Sequence, residues 1–137
     1  MTSQIIYKGQ LRTEALHLGS KTLIETDAPL DNQGKGEKFS PTDLLATSLG
    51  ACMMTLMGIK AREQGVDLNG TRIEVTKIMK SSPRRVGGIQ VNIHFPGNLL
   101  VTDVQKKALE HTAIHCPVAK SIHPDIELET TFNWPAA

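Results

Sequence analysis

The chain has 137 residues, enough for one domain (1–137) with its own core and no need of disulfides or metal to hold it together. Hydrophobic residues make up 39% and aromatics only 4%, so the core rests on Leu, Ile, Val, Met and Ala, and a stacking platform for single-stranded nucleic acid is excluded. The formal net charge is +1 with no long Lys/Arg run, which leaves no phosphate-tracking surface and no electrostatic attachment to a membrane.

The first third reads as three short strands, QIIYKG, LRTEALHLG and KTLIETD, separated by Gly-containing turns, followed by the polar loop DNQGKGEK. A long helix follows. In FSPTDLL, Ser40 is placed as N-cap and Pro41 at the first helical position, and Asp43 stands where a capping box takes its carboxylate. The spacing predicts a helix to Gln64 with Gly65 as its C′ residue. At about 1.5 Å per residue it is about 36 Å long, so it crosses the domain as a central helix.

Two longer strands come next. TRIEVTKIMK places Ile73 and Val75 on one face and loses phase at Ile78, the mark of a bulge or strong twist. GIQVNIHF alternates, with Ile89, Val91, Ile93 and Phe95 on one face. The two pair as a hairpin through SSPRRVGG. Thr102 and Gln105 form a second capping box for a helix to His115, Pro117 opens a short further segment, PVAKSI, and IELETTFNW closes the chain as an edge or terminal strand. The order β-β-β-α-β-β-α-α-β is that of an α+β fold with mostly antiparallel pairing.

The first residues, MTSQIIYKGQ, hold no apolar run long enough for a secretory signal, and no segment approaches the roughly 18 apolar residues of a transmembrane helix, so a cytoplasmic protein is expected. In that compartment Cys52 and Cys116 stay thiols unless they form a working redox pair. Cys116 stands before Pro117 at a helix start, where free backbone N–H groups favour a thiolate and lower a thiol's pKa, with His115 and Lys120 as further nearby cations. Cys52 shares a helix face with Leu45, Leu49, Leu56 and Ile59 and faces an apolar layer, where it needs a cationic partner to react. Two other readings stand beside a redox pair: free cysteines that only pack as small hydrophobes, and a metal site built from Cys116 with His111, His115 or His123.

The segment SPTDLLATSLGACMMTLM followed further on by HCPVAKSI resembles the OsmC/Ohr family of osmotically inducible and organic-hydroperoxide-resistance proteins, and the element order extends the resemblance over nearly the whole chain. The resemblance implies a two-layer OsmC-like fold, an intertwined homodimer with active sites at the subunit interface, and a thiol peroxidase that needs no cofactor. Matched by position, Cys52 is the peroxidatic cysteine and Cys116 the resolving one. A dithiol reductant, lipoyl-bearing in some members, closes the cycle, and an apolar site favours alkyl or fatty-acyl hydroperoxides. The family also holds its thiolate with an arginine from the N-terminal strands, for which Arg12 is the candidate. Well-studied peroxidases carry a Glu directly after the helix Pro to fix that arginine, whereas this chain has Thr42. Asp43 is no substitute, because at about 100° per residue it lies on the helix face opposite Cys52. Glu37, in the preceding loop, is the remaining candidate partner. The departure points to a divergent branch, with a non-catalytic or weakly catalytic protein binding a small apolar or electrophilic molecule at the dimer pocket as the alternative.

Overall fold

The computed structural model describes residues 1–136. They form two compact units, residues 1–45 and residues from 46 onward, with the boundary inside the first long helix. The fold is α+β, in the order foreseen.

In the first unit, β1 (Ser3–Gly9), β2 (Arg12–His17) and β3 (Leu23–Asp27) form an antiparallel sheet in that order. The β1–β2 turn runs through Gln10 and Leu11 at φ +53° and +63°. A left-handed residue other than glycine costs about 1–2 kcal/mol. Local bonds hold this turn: Leu11 N–H donates to the Tyr7 hydroxyl at 3.1 Å, and Ala28 N–H donates to the Leu11 carbonyl at 3.0 Å. After β3 the polar loop is exposed, as its composition leads one to expect, with only Gly34 partly buried. It makes a 3-10 turn at Leu30–Asn32 and folds back, Gly34 N–H and Gly36 N–H reaching the carbonyls of Pro29 and Ala28. Gly34 is required there, because a Cβ would sit 1.8 Å from the Ala28 carbonyl oxygen.

Helix α1 (Pro41–Gln64) starts and stops where the sequence signals place it. Ser40 N–H donates to Asp43 Oδ2 at 3.0 Å and Asp43 N–H to Ser40 Oγ at 3.0 Å, a reciprocal capping box, and Gly65 follows the last turn at φ +69°. The helix is long and apolar enough to span a bilayer by length and mean hydropathy, which corrects the expectation that no segment comes near. Its Thr, Ser and Gly residues interrupt an apolar run without making the helix polar.

In the second unit, β4 (Arg72–Lys80) and β5 (Arg85–His94) pair antiparallel, with the register shift at Ile78/Met79 that the loss of phase announced. Strand β6 (Glu127–Asn133) adds to β5 in parallel, a departure from the antiparallel pattern. Helices α2 (Asp103–Ile114) and α3 (Pro117–Ser121) lie between β5 and β6 in sequence and make the crossover that parallel neighbours need. The predicted Thr102–Gln105 capping box is present in both directions.

From α1 the buried side is Ala46, Leu49, Gly50, Met53, Met57 and Ala61, and the sheet supplies Ile89, Val91, Ile93 and Phe95. Fully burying each Leu, Met or Ile contributes about 1.5–3 kcal/mol. Trp134 stacks on Phe95 at 3.7 Å, donates from Nε1 to Glu110 Oε1 at 2.8 Å and carries Lys106 Nζ 5.9 Å above its ring, so it ties the end of the chain to β5 and α2.

Candidate functional site

Two groups of reactive side chains stand out, one in each unit. In the first, Arg12 opens β2 and Asp27 ends β3, and the strand register sets them opposite each other. The guanidinium binds the carboxylate through two parallel bonds, Nε to Oδ1 at 2.7 Å and Nη2 to Oδ2 at 2.8 Å. Asp27 is 1% exposed, so its charge survives burial only because it is paired. Glu37 N–H adds a bond to Asp27 Oδ2 at 3.1 Å, and Glu37 Oε1 lies 3.7 Å from Arg12 Nη2.

Hydrogen bonding to Arg12 holds the Asp27 carboxyl below its ordinary range in spite of burial, and the same bond holds Arg12 still more firmly protonated. The expected partner Glu37 thus takes the outer place, and the carboxylate that fixes the arginine is Asp27. The sequence contained a signal for it. Strands β2 and β3 form a hairpin, and the register that pairs Leu16 with Leu23 also sets Arg12 against Asp27.

In the second unit, Cys52 and Cys116 are both free thiols. Cys116 is fully buried in the core, and Cys52 is half-buried and packed against it. Cys52 does not lie on the buried stripe of α1: of the residues assigned to its face, only Leu49 is core, while Leu45 and Ile59 are exposed. A helix apolar on nearly every side gives no phase from which to choose the inward stripe.

Cys116 is the N-cap of α3, and its Sγ accepts the Ala119 N–H at 3.4 Å. The sequence expectation of a lowered pKa is corrected here. Burial pushes the Cys116 thiol up, against the Ala119 and Val118 N–H groups that favour the thiolate. A five-residue helix offers too small a dipole to offset full burial. A hydrogen bond from the Cys116 thiol to Cys52, which needs Cys116 protonated, and repulsion from the Cys52 charge push Cys116 further up. Ionising Cys52 thus disfavours ionising Cys116.

The histidines gather around no common point. His115 Nδ1 bonds the His111 carbonyl at 2.8 Å, the two rings lie 4.2 Å apart, and His123 Nδ1 takes the Asp125 N–H at 3.0 Å. Among the described residues no three His, Cys, Asp or Glu side chains are grouped to hold a metal ion.

Comparison with known proteins follows the same lines. The family model for OsmC-like protein matches residues 34–131. A candidate osmotic stress induced and detoxification response protein from Psychrobacter arcticus is 54% identical, with 97% of this chain and 96% of that one covered and a TM-score of 0.92. The organic hydroperoxide resistance protein OsmC of Legionella pneumophila shares 17% identity over 98% of both chains at a TM-score of 0.75. OhrB of Bacillus subtilis, an organic hydroperoxide resistance protein, shares 16% over 97% of this chain and 98% of its own at 0.64. The last two likenesses are of fold. No curated protein matches the chain.

Proposed function

Since the chain belongs to the OsmC-like family, we propose that it is a two-cysteine peroxidase that reduces organic hydroperoxides to alcohols in stress defence. The observation that carries this reading is a pair of free thiols packed in the same core region, Cys52 half-buried and Cys116 fully buried. Cys52 has the access to attack. Cys116 is held back by burial and by its neighbour, as suits a thiol that acts second.

In the reaction the Cys52 thiolate attacks the outer oxygen of ROOH, the O–O bond breaks, and the departing alkoxide takes a proton to leave as ROH. Cys52 is then a sulfenic acid. Cys116 displaces its hydroxyl, the Cys116 proton leaves with it as water, and a Cys52–Cys116 disulfide forms. An external dithiol, on a lipoyl-bearing protein or a small molecule, restores both thiols by exchange. Arg12 is, by its match in position, the family's candidate for the cation of the reactive thiolate, and within its own unit Asp27, with Glu37 outside it, fixes the guanidinium.

The reading includes a homodimer. The first unit leaves Ile5, Tyr7, Ile24 and Phe39 about half or more exposed and buries little beyond Thr26, Asp27 and Ser40, so its apolar surface suits cover by a second copy. It also includes the cytoplasm, where a dithiol pair is kept in use by reduction.

The test is intact mass with thiol counting after one equivalent of cumene hydroperoxide. Wild type is expected to lose both thiols to an intramolecular disulfide, and Cys116→Ser to gain one oxygen at Cys52. If both thiols survive in wild type, the peroxidase reading fails and the non-catalytic binding protein replaces it.

A further inference from the structure

Helix α1 carries two interior glycines, and the fold accounts for only one of them. A Cβ on Gly50 would come within 2.8 Å of Val75 Cγ2 and 3.3 Å of Ile73 Cγ2, so the sheet requires glycine there. Gly58 has nothing within 4 Å of where its Cβ would be. A mid-helix glycine costs about 1 kcal/mol relative to Ala, and no contact within the chain explains this one. Its bare backbone forms part of the wall of a cleft of about 610 Å³ at the C-terminal end of α1, bounded by the turn that leads to β4. That volume is typical of small-molecule sites.

The lining has a definite chemistry. Met54, Ile59, Val66 and Leu68 are apolar, and Ile59 is 52% exposed. Most of the polar groups are already committed to the fold. Thr55 Oγ1 donates to the Ala51 carbonyl at 2.8 Å, Thr71 Oγ1 to the Leu68 carbonyl at 2.6 Å, and Asn69 N–H to Asp67 Oδ1 at 2.8 Å. Arg62 differs: among the described residues it makes no ion pair, and the neighbouring Glu63 is taken by Lys60 at 3.4 Å. A guanidinium with its fork of donors open, beside an apolar wall, fits a carboxylate with a hydrocarbon chain. Asp67, the one acid of the lining, disfavours a second negative charge.

We infer that this cleft is a binding site for a singly charged anionic amphiphile, a medium-chain carboxylic acid, with its head on Arg62 and its chain along Met54, Gly58, Ile59 and Val66. The site is separate from the thiol pair and does not depend on peroxidase chemistry.

Decanoate and decanol, titrated into the full-length protein and followed by amide NMR shifts and calorimetry, test this. Decanoate is expected to bind saturably, with shifts centred on Gly58, Arg62 and Asn69. Arg62→Gln is expected to weaken decanoate about tenfold or more, the loss of a charged hydrogen bond, and to leave decanol little changed. Gly58→Leu, which fills the cleft and improves helix propensity, is expected to weaken both. Absence of saturable binding, shifts centred elsewhere, or unaltered decanoate affinity in Arg62→Gln overturns the inference. So does a change of mass in solution for Gly58→Leu without decanoate binding to wild type, because the cleft is then a contact between copies.

Discussion

The substitution Gly50→Ala tests how closely α1 is fitted to the sheet beside the thiols. Its new methyl would meet Val75 Cγ2 at 2.8 Å, against about 3.5 Å or more for comfortable carbon contact, so something must yield by about 0.7 Å. Val75 is β-branched and pairs across the sheet with Val91, which is 1% exposed and leaves it little room to turn. Overpacking of this kind costs about 1–3 kcal/mol, while helix propensity returns about 1 kcal/mol. The net expectation is a loss of about 1 kcal/mol. The same change at Gly58, with open space around it, should gain about 1 kcal/mol. Two identical substitutions on one helix then differ by about 2 kcal/mol, roughly 8 °C in Tm for a chain of this size. Urea unfolding followed by circular dichroism at fixed protein concentration measures it. Because Gly50 stands two residues before Cys52, Gly50→Ala should also slow peroxide-driven disulfide formation. If Gly50→Ala is as stable as Gly58→Ala, the close fit of helix to sheet is not what keeps glycine at 50.

Two further expectations concern the charged and thiol groups. Asp27 is held below its ordinary pKa by Arg12, so its contribution to stability is present above the unfolded value of about 3.9 and is lost as pH falls through the lower folded value. Urea midpoints of wild type should therefore fall more steeply below about pH 4 than those of Asp27→Asn, and parallel curves would contradict the linkage. The same variant, with its guanidinium no longer fixed, should lose on the order of 10²-fold in peroxide kcat/KM. Glu37→Gln, which removes only the 3.7 Å outer contact, should lose much less. In the thiol pair, Cys52→Ala removes a hydrogen bond and a repelling charge from Cys116. Thiolate absorbance should then show Cys116 titrating lower than in wild type, still above an ordinary thiol because burial remains, and an unchanged titration would mean that the sulfurs do not interact.

Wherever a local signal existed, the sequence was legible. The capping boxes at Ser40–Asp43 and Thr102–Gln105, Gly65 as the helix stop, and the bulge at Ile78 each rest on a few neighbouring residues. What escaped was non-local or degenerate. Asp27 as the partner of Arg12 follows from strand register, a relation between positions 15 residues apart that neither residue announces alone. The inward stripe of α1 escaped because apolar residues surround the helix, and only the sheet selects among them. Cys116 was placed correctly at its helix start, but the balance of burial against dipole depends on what covers it, which the residues after Pro117 do not reveal.

The placing of the aromatic rings has a practical consequence. The chain has one tyrosine and one tryptophan. Tyr7 lies in the first unit, bonded at the β1–β2 turn, and Trp134 in the second, stacked on Phe95. Each half of the molecule thus carries its own optical label, with no engineering needed. Tryptophan emission follows the half that holds the thiols, and tyrosine absorbance follows the half that holds the arginine clamp. Melting curves that coincide at the two wavelengths mark a chain that opens as one body, and curves that separate mark the order in which its halves let go.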